Sequence, residues 1–570
     1  MTTVIDTKIE AKEILFKDLF GSKFAFQIPG YQRQYSWEKD QLDQLFDDIR
    51  EAMEDGENSY FLGSVILQVI SQKSDESGLY DVVDGQQRLT TLTILLAVMR
   101  DLIASPKAKT TLQSKIYQEA DIFEDKPETF RLKVRDRDFA YFKKHILEEG
   151  GTSQPGSSFV TESQERMSKA IQRFKDKFKD EATGLVDEEL LNKMVVFVLN
   201  NCMFVYVKTG TFTSAFRLFS VLNDRGMPLS NADLLKSMNL EAVNDTERHY
   251  YQNVWETMEE ELGREELEKL LGFIRLIYVK EKAKKTIQEE YNEKVFKQNS
   301  DFKGKNFIEY VKEFAEIYRE KVLNAELASR DTDVKAKYYG LLTLMRDFIP
   351  GSDWIPVFIH FVQKFNDNEQ VYPFLQLLEK KFVTSWVKGL SPTARVTETV
   401  KMIQSIDTAL SVEEVITSDI FNTENSLSDF TYNVNVQDFY RKKFAKYLLL
   451  RLDMSLSENA TIKKAYSGVI SVEHILPQNP PKESAWEGAF AQEDRKIWTH
   501  KLGNLVLLSR KKNSSANNKD FQFKLDKYFS NGITDFELTK ELKPISEWTI
   551  SECEKRHEVL VNRLMKIYFV

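Results

Sequence analysis

The chain has 570 residues, enough for about three or four domains at roughly 100–200 residues each, or for two large ones. Its 79 basic and 88 acidic side chains leave a net charge of −9, which excludes a uniformly basic nucleic-acid coat but not a local basic patch. With 42% apolar and 29% charged residues the composition is that of a folded chain, and 22 glycines with 13 prolines, about half the usual share, predict a helix-rich protein.

Cys202 and Cys553 are too few for a disulfide framework or a CxxC zinc site. The N-terminus lacks a basic segment followed by an apolar stretch, and no apolar run reaches the length of a membrane span. The expectation is a cytoplasmic protein with no membrane partner.

In chain order, Phe24–Ile28 reads as a short strand and Trp37–Met53 as a charged amphipathic helix. Tyr60–Ile70, rich in β-branched residues, reads as a buried strand. Gly78–Val83 is another, with Asp84-Gly85 as its turn and an apolar helix from Gln86 to about Ile103. Arg131–Lys144 holds six basic and two acidic side chains and suits either a nucleic-acid backbone contact or a solvated helix. Glu148–Phe159 is the loosest segment. A strand follows in CMFVYVKT, then a helix Phe212–Leu222, a turn Asn223–Gly226 and a helix capped by Ser230. Residues 240–450 are helical in pattern. Beyond about 465 come a short strand (Val469–Val472), a proline-rich loop, a strand (Asn504–Leu508), a polar loop and two terminal helices.

Two constellations carry chemistry. In the first, a strand ends in Asp84-Gly85 and a helix opens with Gln86-Gln87-Arg88. A helix N-terminus presents free N–H groups and partial positive charge, Arg88 adds a planar donor fork, Asp84 suits a hydrated Mg²⁺, and Gly85 lets the backbone approach closely. The design fits a triphosphate pocket without being a Walker A loop. The same residues also suit a plain turn with a helix cap.

The second lies in SVEHILPQNP (Ser471–Pro480) and KLGNLVLLSRKKNSSANNKDFQFKLDKY (Lys501–Tyr528). Phosphodiester hydrolysis needs a base to activate water and a cation to stabilise the phosphate. Neutral His474 has the ordinary pKa for the base. Oxygen ligands from Glu473 and an asparagine of the polar loop, Asn513 by spacing ahead of Asn517 or Asn518, suit Mg²⁺ or Mn²⁺. Asn504 can bond the loop or the imidazole and fix the active rotamer. Arg495 to Ser530 holds nine Lys or Arg against Asp520 and Asp526, a local excess of +7. Lys501, Arg510, Lys511, Lys512 and Lys519 are the candidate DNA contacts. His500 suits a phosphate contact or simple packing.

The motifs IPxYQRxYxW, DGQQRLTTL and LNxRGxPLSxxDLLK, in this order over about residues 11–240, resemble the DUF262 family, the N-terminal part of GmrSD-type proteins. The resemblance implies a ParB/sulfiredoxin-like α/β domain that binds and hydrolyses a nucleoside triphosphate (GTP, ATP or another). It implies that Tyr31, Gln32, Arg33, Asp84, Gly85, Gln86, Gln87 and Arg88 line the site, and it maps the third motif to Asn223, Arg225, Gly226 and Asp233. The pattern [DE]H-I-x-P-Q, then N, then N resembles the HNH, or ββα-metal, nucleases and, over about 425–570, the DUF1524 domain of GmrSD-type proteins.

The fold expected is therefore α+β and helix-rich. It comprises a nucleotide-binding domain (1–240), a helical connecting region (241–424) and a C-terminal HNH nuclease domain with flanking helices (425–570). The function expected is a nucleotide-regulated, modification-dependent DNA endonuclease or nickase of type IV-like restriction, acting on modified phage DNA. One HNH centre per chain calls for a homodimer or successive nicks to cut both strands. The alternatives are a nucleotide-dependent DNA-modification reader with a degenerate nuclease domain, and a toxin-like nuclease acting on host nucleic acid.

Overall fold

The computed structural model describes residues 9–570 apart from 31, 33, 75–76, 119–127, 155, 157, 181, 211–229, 457–465, 467–469, 483, 510–518 and 530–535. The chain is helix-rich α+β with a mixed six-stranded sheet, and it divides into two compact units, Met1–Ser237 and Met238–Val570.

The first unit is built on strands β1 (Glu10–Leu15), β2 (Phe24–Gln27), β3 (Tyr60–Ser74), β4 (Ser77–Asp84), β7 (Leu132–Lys133) and β8 (Cys202–Thr209). Their order is β1-β8-β3-β4-β2-β7. A two-residue pair, β5 (Tyr117–Gln118) with β6 (Thr129–Phe130), stands apart. β3 and β4 form an antiparallel pair, whereas β4, β2 and β7 run parallel. The helix Gln86–Leu102 is buried over nearly its whole length. Such all-round burial matches its apolar sequence, which has little polar face to offer water. Helices Lys39–Glu54 and Glu162–Lys177 pair through Arg173 to Asp43 and Lys177 to Asp47 at 2.7 Å, with Phe46 against Phe174 and Phe178 beneath.

Two segments differ from expectation. Arg131 and Arg135, read as contacting nucleic acid or solvent, are 3% and 6% exposed. Arg131 joins the sheet edge, where its carbonyl accepts from Phe26 N–H at 2.9 Å, and Arg135 pairs with Asp138 at 3.3 Å. The loose segment after Glu148 is tied down by Arg100, which donates to the Leu147 and Glu148 carbonyls at 2.9 and 2.8 Å. Asp101 accepts from Gly150 N–H and Thr152 N–H. The expected helix Phe212–Leu222 and turn Asn223–Gly226 lie outside the described residues.

The second unit is a stack of helices from Asp245 to Ser455 that continues without a break in packing into the C-terminal region. Buried Glu379, on helix Asn368–Lys388, shows how. It accepts from Tyr447 Oη at 3.1 Å and Tyr568 Oη at 2.7 Å and pairs with Arg451 at 3.3 Å. These partners come from helices Ala445–Ser455 and Ile550–Phe569. The C-terminal region itself holds an antiparallel hairpin, β9 (Ile470–His474) with β10 (Leu505–Ser509), and helix Phe521–Phe529. Among the described residues no helix is long and apolar enough to cross a membrane.

Removing one partner of a buried charge cluster leaves the others uncompensated. Glu379→Ala should therefore lower the stability of the second unit by about 3–5 kcal/mol. Urea titration of the full chain, with Glu379→Gln as the milder comparison, measures it.

Candidate functional site

In the first unit, the C-terminal ends of three parallel strands bring the sequence motifs to one edge. β2 leads towards Pro29, Gln32 and Gln34, β4 ends at Asp84, and β7 leads into Val134 and Arg135. Such an edge is where open α/β sheets bind ligands, because helix N-termini and loops converge there. Gly85 caps helix Gln86–Leu102 in a left-handed conformation (φ 89°), and a Cβ there would lie 2.4 Å from Val65 Cγ1.

The glutamines hold the loop. Gln32 Nε2 donates to the Val83 carbonyl at 2.8 Å. Gln87 Nε2 donates to the Gln34 carbonyl at 2.9 Å, and its Oε1 accepts from Ser36 N–H at 2.8 Å. Gln86 is buried beside them. Arg88 lies across the sheet, with Nη1 donating to the Ser64 carbonyl at 3.1 Å. It passes over Gly63, where a Cβ would stand 2.5 Å from Nη1. Burial weakens its hold on its proton, and Asp84 opposes that effect. On β4, burial pushes the Asp81 carboxyl up to about 6, although Gln27 Nε2 donates to it at 2.6 Å. Tyr31, Arg33, Asn223, Arg225 and Gly226 lie outside the described residues. Asp233 forms a reciprocal cap with Ser230, accepting from Ser230 N–H at 2.9 Å and donating its own N–H to Ser230 Oγ at 3.2 Å.

In the second unit the hairpin carries the other motif. Glu473 faces Val506 and His474 faces Leu505 in the strand register. Successive strand residues point to opposite faces, and their partners differ accordingly. Lys524, fully buried on helix Phe521–Phe529, donates to Glu473 Oε1 at 2.9 Å and to the His474 carbonyl at 2.5 Å. Burial raises the Glu473 carboxyl above its ordinary range, and the Lys524 ammonium offsets this.

His474 is 4% exposed. Its Nε2 lies 3.0 Å from His500 Nδ1, its Nδ1 lies 3.4 Å from Gln478 Nε2, and the Tyr440 ring packs on it at 4.3 Å. Burial, with His500 and Lys524 adding to it, pushes its pKa down to about 3.

Asn504 sits at the head of β10 with no exposure to solvent. Its Oδ1 accepts from Leu476 N–H at 2.7 Å and Trp548 Nε1 at 3.2 Å, and its Nδ2 donates to the Leu476 and Thr499 carbonyls at 3.0 and 2.8 Å. The amide thus fixes the loop that follows His474 and does not reach the imidazole. Next to it, Gly503 leaves no room for a Cβ, which would meet the Cys553 carbonyl and His557 Cβ at 2.6 Å.

The basic cluster thins out. Lys524 is internal, and Lys501 places its ammonium 4.3 Å over the Trp498 ring. Lys519 is exposed, 6.0 Å from the Phe523 ring. Arg510, Lys511, Lys512 and Asn513 lie outside the described residues. Among the described residues no group of three or more His, Cys, Asp or Glu could hold a metal ion. Glu473 is an oxygen donor at the hairpin end, and an ammonium already sits against it.

Lys524 is one of the nine cations between Arg495 and Ser530 that make up the local basic excess. The signal that it is internal is its place on the stripe Phe521, Lys524, Leu525, Tyr528, where a buried ammonium requires an anion. No comparable signal marks the pairing of His500 with His474, since the two are 26 positions apart.

Residues 16–240 match the model for the GmrSD restriction endonuclease N-terminal domain, and 424–563 match that for the GmrSD restriction endonuclease C-terminal domain. The chain belongs to the GmrSD restriction endonuclease family. Membership makes it a nuclease of phage defence whose substrate is DNA. No curated protein matches the chain.

His474 and His557 are both buried neutral, the latter with its pKa pushed down to about 4 by burial. Below the ordinary value of 6.5 the unfolded chain takes up these protons and the folded one does not, so stability is full above that pH and falls as pH drops towards 4. The raised Glu473 carboxyl has the opposite sign near its own ordinary value of 4.5. Denaturant midpoints measured from pH 7 to pH 4.5 should decline, and a His474→Gln, His557→Gln double variant should show a shallower slope.

Proposed function

We propose that this GmrSD-family chain is a nucleotide-regulated, modification-dependent DNA endonuclease in which an HNH-type centre at the β9–β10 hairpin hydrolyses phosphodiesters. The observation that carries the proposal is the end of β9. There a neutral imidazole is held by its neighbours, next in the chain to the Glu473 carboxyl and just before a loop fixed by the Asn504 amide. His474 serves as the general base. Buried as it is, the imidazole is a weak base, and an anionic phosphate drawing near raises its affinity for a proton.

A Mg²⁺ or Mn²⁺ ion, held by Glu473 and Asn513, would stabilise the charge that builds on the phosphate. Lys519 and the basic stretch Arg510–Lys512 grip the DNA backbone, and Lys501 does so to the extent that it leaves Trp498. Two chains, or successive nicks, sever both strands.

The N-terminal unit is the ParB/sulfiredoxin-like NTPase of this scheme. The triphosphate binds at the edge formed by the ends of β4, β2 and β7, against the N-terminus of helix Gln86–Leu102. Tyr31, Gln32, Arg33 and Asp84 to Arg88 surround it. The nucleotide or the modified base switches the nuclease on, which keeps the host chromosome intact. Regulation of this kind requires that the ligand bind one conformation better than the other.

Incubated with Mg²⁺, each nucleoside triphosphate and a panel of modified and unmodified phage DNAs, the wild type should cut a modified substrate, and His474→Ala should lower the rate about 10²-fold or more. Equal cutting by the variant removes His474 from the chemistry. Arg88→Ala should abolish triphosphate turnover in a phosphate-release assay, and unchanged turnover removes Arg88 from the pocket.

A further inference from the structure

The imidazole of His474 has a neighbour at each nitrogen, and the two neighbours differ in kind. On one side stands the Gln478 amide, whose nitrogen lies 3.4 Å from Nδ1. An amide nitrogen can only donate, so Nδ1 accepts and carries no proton. A neutral imidazole then has its proton on Nε2. That nitrogen lies 3.0 Å from His500 Nδ1, which must accept and leave the His500 proton on its own Nε2. One direction of donation therefore runs from Gln478 through His474 to His500.

His500 is fixed for this task. Its carbonyl accepts from Tyr440 N–H at 2.9 Å, and the Tyr440 ring lies nearly parallel to the His500 ring, with an interplanar angle of 18° and centroids 5.7 Å apart. The same Tyr440 ring covers His474 at 4.3 Å, so one tyrosine holds both imidazoles. The planes of the two histidine rings stand at 77° with centroids 5.1 Å apart, and the bond between them rests on the 3.0 Å separation of the two nitrogens.

We propose that His500 is a positioning residue of the nuclease, holding His474 in the tautomer that offers Nδ1, on the Gln478 side, to the attacking water. The proposal rests on His474 being the general base. Water takes the place of the Gln478 amide at Nδ1. Its proton passes to Nδ1 as its oxygen bonds to phosphorus; the bond from phosphorus to the sugar oxygen breaks, and that oxygen leaves with the electron pair and takes a proton from solvent water, to which the imidazolium later returns its own. The resulting imidazolium keeps its Nε2 proton directed at His500 Nδ1, so the positive charge forms against a ready acceptor. Sequence patterning assigns no such role, and Asn504, which could have supplied it, is committed to the loop backbone.

The test combines a spectroscopic readout with a kinetic one, on the full chain. Protein labelled with ¹⁵N-histidine reports the protonation of each ring nitrogen, with His474 assigned from the resonances lost in His474→Gln. Wild type should show a proton on Nε2 and none on Nδ1. His500→Leu removes the acceptor, so it should give a mixture of the two tautomers and lower kcat on DNA on the order of ten- to a hundredfold at unchanged KM. His500→Asn places an acceptor oxygen close to the position of Nδ1, so it should bring back both the single tautomer and most of the lost kcat. A proton on Nδ1 in wild type overturns the proposal, as does a His500→Leu variant with the wild-type tautomer. If the tautomers behave as expected but wild type and His474→Ala cut DNA alike, the positioning by His500 stands and the assignment of His474 as the base falls.

Discussion

The side-chain amide of Asn504 holds together parts of the C-terminal region that are far apart along the chain. It joins the loop after β9, through both backbone groups of Leu476, to the Thr499 carbonyl and the Trp548 indole. Each of these groups would otherwise be a buried polar atom without a partner, at a cost of about 1–3 kcal/mol apiece. An apolar side chain of the same volume could not replace it. The location of His474 follows from this amide, because the strand that ends in His474 runs directly into the loop it fixes. Arg556 reinforces the arrangement from the terminal helix, donating to the Gly503 and Leu505 carbonyls at 2.6 and 2.9 Å on either side of Asn504.

If His474 is the general base proposed above, its surroundings hold it in a resting state. The ring is covered, neutral and weakly basic, and the adjacent acid is neutralised by Lys524 from within the fold. Neither group presents free charge to a passing phosphate. On the proposed reading, activation would exchange protein partners for substrate partners: water for the Gln478 amide at Nδ1, and phosphate charge for the low-dielectric surroundings that depress the imidazole. The N-terminal unit uses buried polar side chains in a similar way. Gln32 and Gln87 are occupied with backbone groups of their own neighbourhood, so they shape the edge of the sheet before any ligand arrives. Gly63 and Gly85 mark the two places where that edge leaves no space for a side chain.

The local elements were largely legible in the sequence, because alternation and apolar period report burial directly. Strands at Phe24, Tyr60, Gly78 and Cys202 stand where β-branched and aromatic residues predict them, and the helix after Gly85 starts at the expected residue. What the sequence did not reveal depends on long-range pairing. The parallel alignment of β4, β2 and β7, which brings the motif loops to one edge, is set by contacts between distant segments, Phe24 with Gly78 and Phe26 with Leu132. β1 was missed because it is a mostly exposed edge strand, whose charged residues hide the alternation. The charge of Arg131, Arg135 and Lys524 misled for a common reason: composition counts a cation the same way whether water or a buried anion solvates it. Of the two partners the sequence allows Asn504, the loop and the imidazole, the structure shows the loop.

The account stands or falls on whether DNA meets the protein at the end of β9. The most direct measurement is a crystal structure of the full-length His474→Ala variant with a duplex oligonucleotide and Mg²⁺. The account predicts a phosphate group beside the loop fixed by Asn504, within one water molecule of the position vacated by the His474 ring and on the Gln478 side. A duplex bound elsewhere, with the His474 position still sealed beneath Tyr440, would contradict it.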